Sequence, residues 1–313
     1  MHTVLVIVGL IAGLALLIKG ADIFVDASVG IAHRLKMSPV IIGLTIVSMG
    51  TSIPELVISV SAAAGGANDL AVANAVGANT FNLLMILGLA AMVRAIPVDF
   101  RDISKGFWLS VAAPAFLLLL FFTLGNIIPR WGGLAMFVVY IAYIVILVKT
   151  TPKDTTETEV PPGGEKKLSR YIGHALLATF LIFIGGQITV WASEALGPIL
   201  GLSERVVGLT IVAISTSLPE LTFTLIACKR GENEMAVGTI IGSNVFNLMA
   251  VLGLSGIILP LTISTGSVID LSLLVLGSLL FFLFVTTRRR IARAEGLVMA
   301  VIYVGYIVYL LIA

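Results

Sequence analysis

The sequence predicts an all-α membrane protein of ten transmembrane helices, a five-plus-five inverted repeat with helices two and seven broken. Three observations lead there. The 313 residues are 58% hydrophobic and 12% charged, with mean hydropathy +1.11, whereas a soluble domain carries about 25% charge. The hydrophobicity falls into runs near 20 residues, the length that crosses a bilayer as helix. One pattern also occurs twice. GLTIVSMGTSIPE from Gly43 to Glu55 returns as GLTIVAISTSLPE from Gly208 to Glu220, and GANTFNLLMILGL from Gly77 returns as GSNVFNLMAVLGL from Gly242, each 165 residues later.

In order, the apolar runs lie at roughly 3–31, 38–64, 70–93, 106–124, 130–149, 171–197, 204–228, 235–259, 268–286 and 293–312. The first turns polar in its second half, at Lys19, Asp22 and Asp26. No basic segment precedes it, so it reads as a retained span and not a cleaved signal peptide. The second and third runs carry the first copies of the two motifs, and the seventh and eighth carry the second copies. Between the fifth and sixth lies the one long polar stretch, Lys149 to Arg170, containing TTPKDTTETEVPPGGEKK. Its Pro, Gly, Thr and alternating charge read as a flexible linker. The chain thus divides into a first five-helix repeat at 1–149, a cytoplasmic linker at 150–170 and a second repeat at 171–313.

Basic residues orient these spans, because cytoplasmic loops accumulate Lys and Arg. One alternate set of loops holds 16 of the 19, including Arg34, Arg94, Lys149, Lys229 and Arg288 to Arg290; the other holds only Arg130 and Arg205. Ten spans then put both termini outside the cytoplasm and the linker inside. No organelle signal is evident, so a prokaryotic plasma membrane is expected. From Gly43 to Gly208 the chain advances by five spans. Five is odd, so the second copy enters the membrane with opposite polarity, an arrangement that places substrate sites near the midplane.

Composition also excludes several classes. A net charge of +2 does not suggest nucleic acid, and the single Cys228 rules out an internal disulfide. No Cys/His cluster suggests zinc or haem, no cofactor is expected, and His2, His33 and His174 are too scattered for a proton relay.

Glu55 and Glu220 are the only acidic residues deep inside the apolar runs. An ionisable group at the bilayer centre costs about 2.5–3.5 kcal/mol on insertion scales and marks a functional site. Two of them at matched positions of a duplicated chain point to a cation transporter. Pro54 cannot donate to the carbonyl four residues back and clashes with it, so the span should break near Gly50. Thr51 and Ser52, repeated as Thr216 and Ser217 ahead of Pro219, set hydroxyl oxygens beside each glutamate. These hard donors suit Na⁺ and Ca²⁺. A Ser or Thr often bonds back to its own helix instead, but a duplicate ending in a mid-membrane Glu weighs against that. Asn82 and Asn247 are read as contacting ion or carboxylate, and Asn79 and Asn244 as interhelical links. Asp22 and Asp26 are read as interfacial, with Gln187 as the repeat counterpart of Asp22; Glu194, Glu204 and Asp270 read as outer-surface charges.

The pattern G-x-T-x-x-x-x-G-T-S-x-P-E, followed by G-[SA]-N-x-F-N, resembles the alpha repeats of the calcium/cation antiporter superfamily, especially its prokaryotic sodium/calcium exchangers. The resemblance covers the whole chain. It implies a mid-membrane diamond of Glu55, Asn82, Glu220 and Asn247. Thr51, Ser52, Thr216, Ser217 and Ser243 would line the calcium and sodium sites, with backbone carbonyls of Ser48 and Ala213. Three residues depart from the pattern. Ala78 stands where a Ser hydroxyl serves one sodium site, which leaves an electroneutral ratio open. Ser215 replaces the Gly before Thr-Ser, and Asn247 stands where potassium-dependent members have Asp, which argues against potassium co-transport.

Charge supplies the mechanism. Two ionised glutamates are neutralised by one Ca²⁺ or by two Na⁺, so the two ions compete for one site and are exchanged. The first and sixth spans are expected to slide against a fixed ion-binding core in alternating access. The nearest rival is a proton-coupled exchanger; an intramembrane enzyme lacks a nucleophile–base pair, and a channel fits broken inverted repeats poorly. A pair of repeats in one chain makes a monomer sufficient, its partners being the two ions and the lipid bilayer.

Overall fold

The computed structural model describes residues 2–66, 68–123, 126–150, 167–199 and 216–312. Its helices are α1 (His2–Leu35), α2 (Pro39–Thr51), α3 (Ile53–Ala64), α4 (Leu70–Val93), α5 (Phe100–Thr123), α6 (Arg130–Thr150), α7 (Leu168–Ile199), α8 (Leu218–Arg230), α9 (Asn233–Ile258), α10 (Thr265–Arg288) and α11 (Arg293–Ile312). Among the described residues eight helices are long and apolar enough to cross a membrane, and α2 with α3, bent by 50°, form a ninth candidate. At 1.5 Å per residue, a 24-residue helix such as α5 reaches about 36 Å, beyond the roughly 30 Å hydrocarbon core. The protein is therefore a mostly helical membrane protein. The expected seventh span is described only from Thr216 onward; Glu204, Arg205, Ala213 and Ser215 lie outside the described residues, as do linker residues 151–166.

The all-α expectation needs amendment at the two ends of the bundle. β1 (Ile96–Pro97) pairs antiparallel with β4 (Arg290–Ile291), and β2 (Ile127–Ile128) pairs with β3 (Leu261–Thr262). Two residues carry no readable alternation, and these ladders form only because two loops pass each other and satisfy otherwise orphaned backbone groups. Helix α5 runs from β1 to β2, and α10 from β3 to β4, so the two ladders sit at opposite ends of those helices. The basic residues Arg94, Arg101 and Arg288 to Arg290 flank the β1–β4 end in sequence.

Close packing recurs at the 165-residue offset. A Cβ on Gly20 of α1 would lie 3.1 Å from Ile182 N and 3.2 Å from Ala178 O of α7. A Cβ on Gly185 of α7 would lie 2.8 Å from Leu17 N and 2.9 Å from Gly13 O of α1. Residues 20, 17 and 13 plus 165 give 185, 182 and 178, so each contact is the image of the other. The missing side chains bring the two backbones together, the usual device where lipid removes any hydrophobic drive between helices.

The outer faces carry exposed Ile11, Phe122, Val138, Leu176 and Leu276, an apolar surface that suits lipid. Helix α9 is enclosed, with every residue from Met235 to Val245 buried. Among the described residues three π-helical turns interrupt the motif helices, at Gly43–Val47, Phe81–Ile86 and Phe246–Val251. The last two match under the same offset, and such turns cluster at functional sites because the widened turn re-aims its side chains.

Candidate ion-binding site

The site begins at two serines, each just ahead of a helix start. Ser52 has φ −88° and ψ 14°, and Ser217 has φ −91° and ψ 8°, the bridge region between helix and strand. Helix resumes at Ile53 and begins at Leu218, which puts Pro54 and Pro219 in a first turn, where a missing amide costs nothing. The break therefore falls at Ser52 and not at Gly50. Gly50 has a different role: a Cβ there would come within 2.8 Å of the Phe24 ring on α1. The restart places Glu55 and Glu220 in the first turns of α3 and α8, where the positive end of each helix favours a carboxylate.

The structure brings these two elements together by crossed hydrogen bonds. Ser52 Oγ donates to Glu220 Oε1 at 2.7 Å, and Ser217 Oγ donates to Glu55 Oε1 at 3.2 Å. Thr216 also sits beside Glu55, and Thr51 and Ser243 sit beside Glu220, the Ser243 hydroxyl lying outside standard hydrogen-bond geometry. Glu55, Glu220, Ser52, Ser217 and Thr51 are 0% exposed.

One oxygen of each glutamate remains. Glu55 Oε2, Glu220 Oε2, Asn82 Oδ1, Asn247 Oδ1 and Ser243 Oγ are buried without a protein partner. Unpaired buried carboxylates are costly, so such a set calls for a compensating charge. Among the described residues no group of three or more His, Cys, Asp or Glu forms. The donors are two carboxylates with neutral amide and hydroxyl oxygens, the chemistry of a hard cation held reversibly.

Other sequence-predicted residues fall into place around this centre. The Ser48 carbonyl accepts the Ser52 amide at 3.1 Å and the Thr51 hydroxyl at 3.4 Å, so helix groups engage it here. Ala78, buried, presents a methyl group where its counterpart Ser243 presents a hydroxyl. Asn79 donates to the Asn244 carbonyl at 2.9 Å and Asn244 to the Asn79 carbonyl at 3.5 Å, linking α4 to α9. Asp270 accepts from Tyr306 at 2.6 Å.

Sequence reasoning missed two features. Asn74 on α4 donates to the Glu55 carbonyl at 3.3 Å and to Ser59 Oγ at 2.9 Å, bracing α3. A polar residue inside an apolar run, with polar Thr239 as its repeat counterpart, was the available signal. Asp22 and Asp26, read as interfacial, both accept from Arg230, which ties α1 to the end of α8. A cavity of about 440 Å³ opens beside this triad, lined in part by Asp26, Tyr171, His174, Arg230 and Glu232. No pattern in the sequence announces that pairing, because it is not repeated: the counterparts are Gln187, Trp191 and Gly65.

Comparison with known proteins places this geometry. Residues 5–149 and 170–312 match the family described as sodium/calcium exchanger protein. The chain is 38% identical over 312 residues to the putative antiporter CaxA of Alkalimonas amylolytica, covering 95% of each sequence. It is 30% identical over 342 residues to the sodium/calcium exchanger MaX1 of Methanosarcina acetivorans, covering 96% of this chain and 97% of that one. The solved sodium-calcium exchanger NCX_Mj superposes with TM-score 0.84 at 27% identity, covering 98% of this chain and 99% of the other. With two buried carboxylates bridged across the repeat and a family match over both halves, the chain belongs to the sodium/calcium exchanger family of membrane cation antiporters.

Proposed function

We propose that the protein exchanges Na⁺ for Ca²⁺ by alternating access, the ions binding in turn at mid-membrane between Glu55 and Glu220. The crossed Ser52–Glu220 and Ser217–Glu55 bonds carry this reading. Each repeat holds one oxygen of the other repeat's carboxylate and leaves the second oxygen for an ion. The ligand set is Glu55, Glu220, Asn82 and Asn247, with Thr51, Ser52, Thr216, Ser217 and Ser243, and backbone oxygens of Ser48 and Ala213. Their combined charge of −2 is balanced by one Ca²⁺ or two Na⁺, so the ions compete and are exchanged. Neutral Asn247 leaves no further carboxylate for K⁺, and transport is independent of it.

The same reading makes the chain ten spans in a five-plus-five inverted repeat, broken at Ser52 and Ser217. Contacts that recur at the 165-residue offset support it. Both termini lie outside, the 150–170 linker lies in the cytoplasm, and a monomer in the plasma membrane suffices. The α1–α7 pair is the moving element, since each packs chiefly on the other.

The test is radioactive Ca²⁺ uptake into Na⁺-loaded proteoliposomes, with choline-loaded, K⁺ and proton-gradient controls. Sodium-driven uptake that ignores K⁺ is expected. Uptake driven only by a proton gradient overturns the reading in favour of a proton-coupled exchanger.

A further inference from the structure

The centre is less symmetric than its sequence, and Asn79 marks the difference. Asn79 and Asn244 occupy equivalent repeat positions, as do Asn82 and Asn247. All four are buried. Asn247 donates its amide to Asn79 Oδ1 at 3.1 Å. The equivalent bond, from Asn82 to Asn244 Oδ1, is open: both ends of the Asn82 amide and the Asn244 Oδ1 lack partners. Asn79 is therefore fully engaged, its nitrogen on the Asn244 carbonyl and its oxygen on Asn247.

We infer that Asn79 is a positioning residue for ion binding: it holds the Asn247 amide nitrogen and so fixes which end of that amide an ion meets. An amide has a donor end and an acceptor end, and only its oxygen can coordinate a cation. With its nitrogen tied to Asn79, Asn247 keeps its oxygen free. The π turn that carries it packs against α3, the helix of Glu55. Asn82 has no such anchor and must be ordered when the ion arrives. Anchoring beforehand removes the cost of ordering the ligand on binding. Asn244 links the helices as Asn79 does but orients no ligand amide. The inference rests on the ion site proposed above.

That asymmetry supplies an internal control. The KM for Ca²⁺ in Na⁺-loaded proteoliposomes would be compared for the wild type, Asn79→Ala, Asn244→Ala, Asn247→Ala and the Asn79→Ala/Asn247→Ala pair. Thermal midpoints would confirm folding. Asn79→Ala is expected to raise KM at least fivefold and Asn244→Ala less than twofold. Asn79→Ala should add nothing once Asn247 is already alanine, because a residue acting through another has no effect without it. Equal effects of Asn79→Ala and Asn244→Ala, or an undiminished Asn79→Ala effect in the double variant, overturn the positioning role alone. An Asn247→Ala variant with unchanged KM overturns the role together with that part of the ion site. If Asn79→Ala fails to fold, Asn79→Ser serves in the same cycle: it keeps a polar group but cannot span to both partners.

Discussion

Ser52 donates its hydroxyl to Glu220, 168 residues further along the chain, across a 2.7 Å hydrogen bond. The image contact, Ser217 to Glu55, is longer at 3.2 Å. Removing Ser52 leaves a buried carboxylate oxygen without its donor, a loss of about 1–3 kcal/mol. Ser52→Ala is therefore expected to weaken Ca²⁺ binding by about 5- to 150-fold, and Ser217→Ala by less. Calcium titration of purified variants measures both; equal, unchanged affinities would contradict the crossed arrangement.

The glutamates themselves set the charge balance. Glu55→Gln or Glu220→Gln keeps an acceptor for the neighbouring serine but halves the negative charge. Sodium-driven Ca²⁺ uptake should drop at least about 100-fold, since losing a buried charge partner costs about 3–5 kcal/mol. Melting points near wild type would show that the fold survives. Retained uptake in either variant would move the ion elsewhere.

Arg230 joins Asp22 and Asp26, whose side chains are 36% and 60% exposed. Exposed pairs of this kind contribute about 0.2–1 kcal/mol each and weaken with salt. Arg230→Ala should lower the thermal midpoint by a few degrees at low ionic strength and by little at 1 M salt. Lys229→Ala, next in the chain, serves as the control. A deficit that persists at high salt would assign Arg230 a packing role instead.

Gly185 and Gly305 offer a matched test of helix packing. Both are in helices, and Gly→Ala raises helix propensity by about 0.8–1.0 kcal/mol. Nothing lies within 4 Å of a Cβ at Gly305, whereas at Gly185 the Leu17 amide nitrogen of α1 is 2.8 Å away. Gly305→Ala should be neutral or stabilising, and Gly185→Ala destabilising by about 1–3 kcal/mol. Denaturation midpoints in one detergent decide the order.

Much of this was legible in the residues alone. Spans follow from hydrophobic run length, because the bilayer imposes one thickness on every crossing. Glu55 and Glu220 stand out because a charge inside an apolar run needs a reason, and the 165-residue repeat identifies the polar residues that recur with them. The proline placed a break within two residues of where it lies. Other features could not be read. The two-residue ladders and the Arg230 triad join positions whose spacing in sequence carries no period.

The sequence by itself determined the membrane class, the repeat and the carboxylate pair, since each follows from composition, run length or identity between two segments. Only the tertiary structure decided which hydroxyl meets which carboxylate. It also decided that Asn247 is anchored while Asn82 is not. Equivalent residues in a duplicated chain carry equal local information; their contacts differ because unlike neighbours surround them, and that surrounding exists only once the two halves have packed.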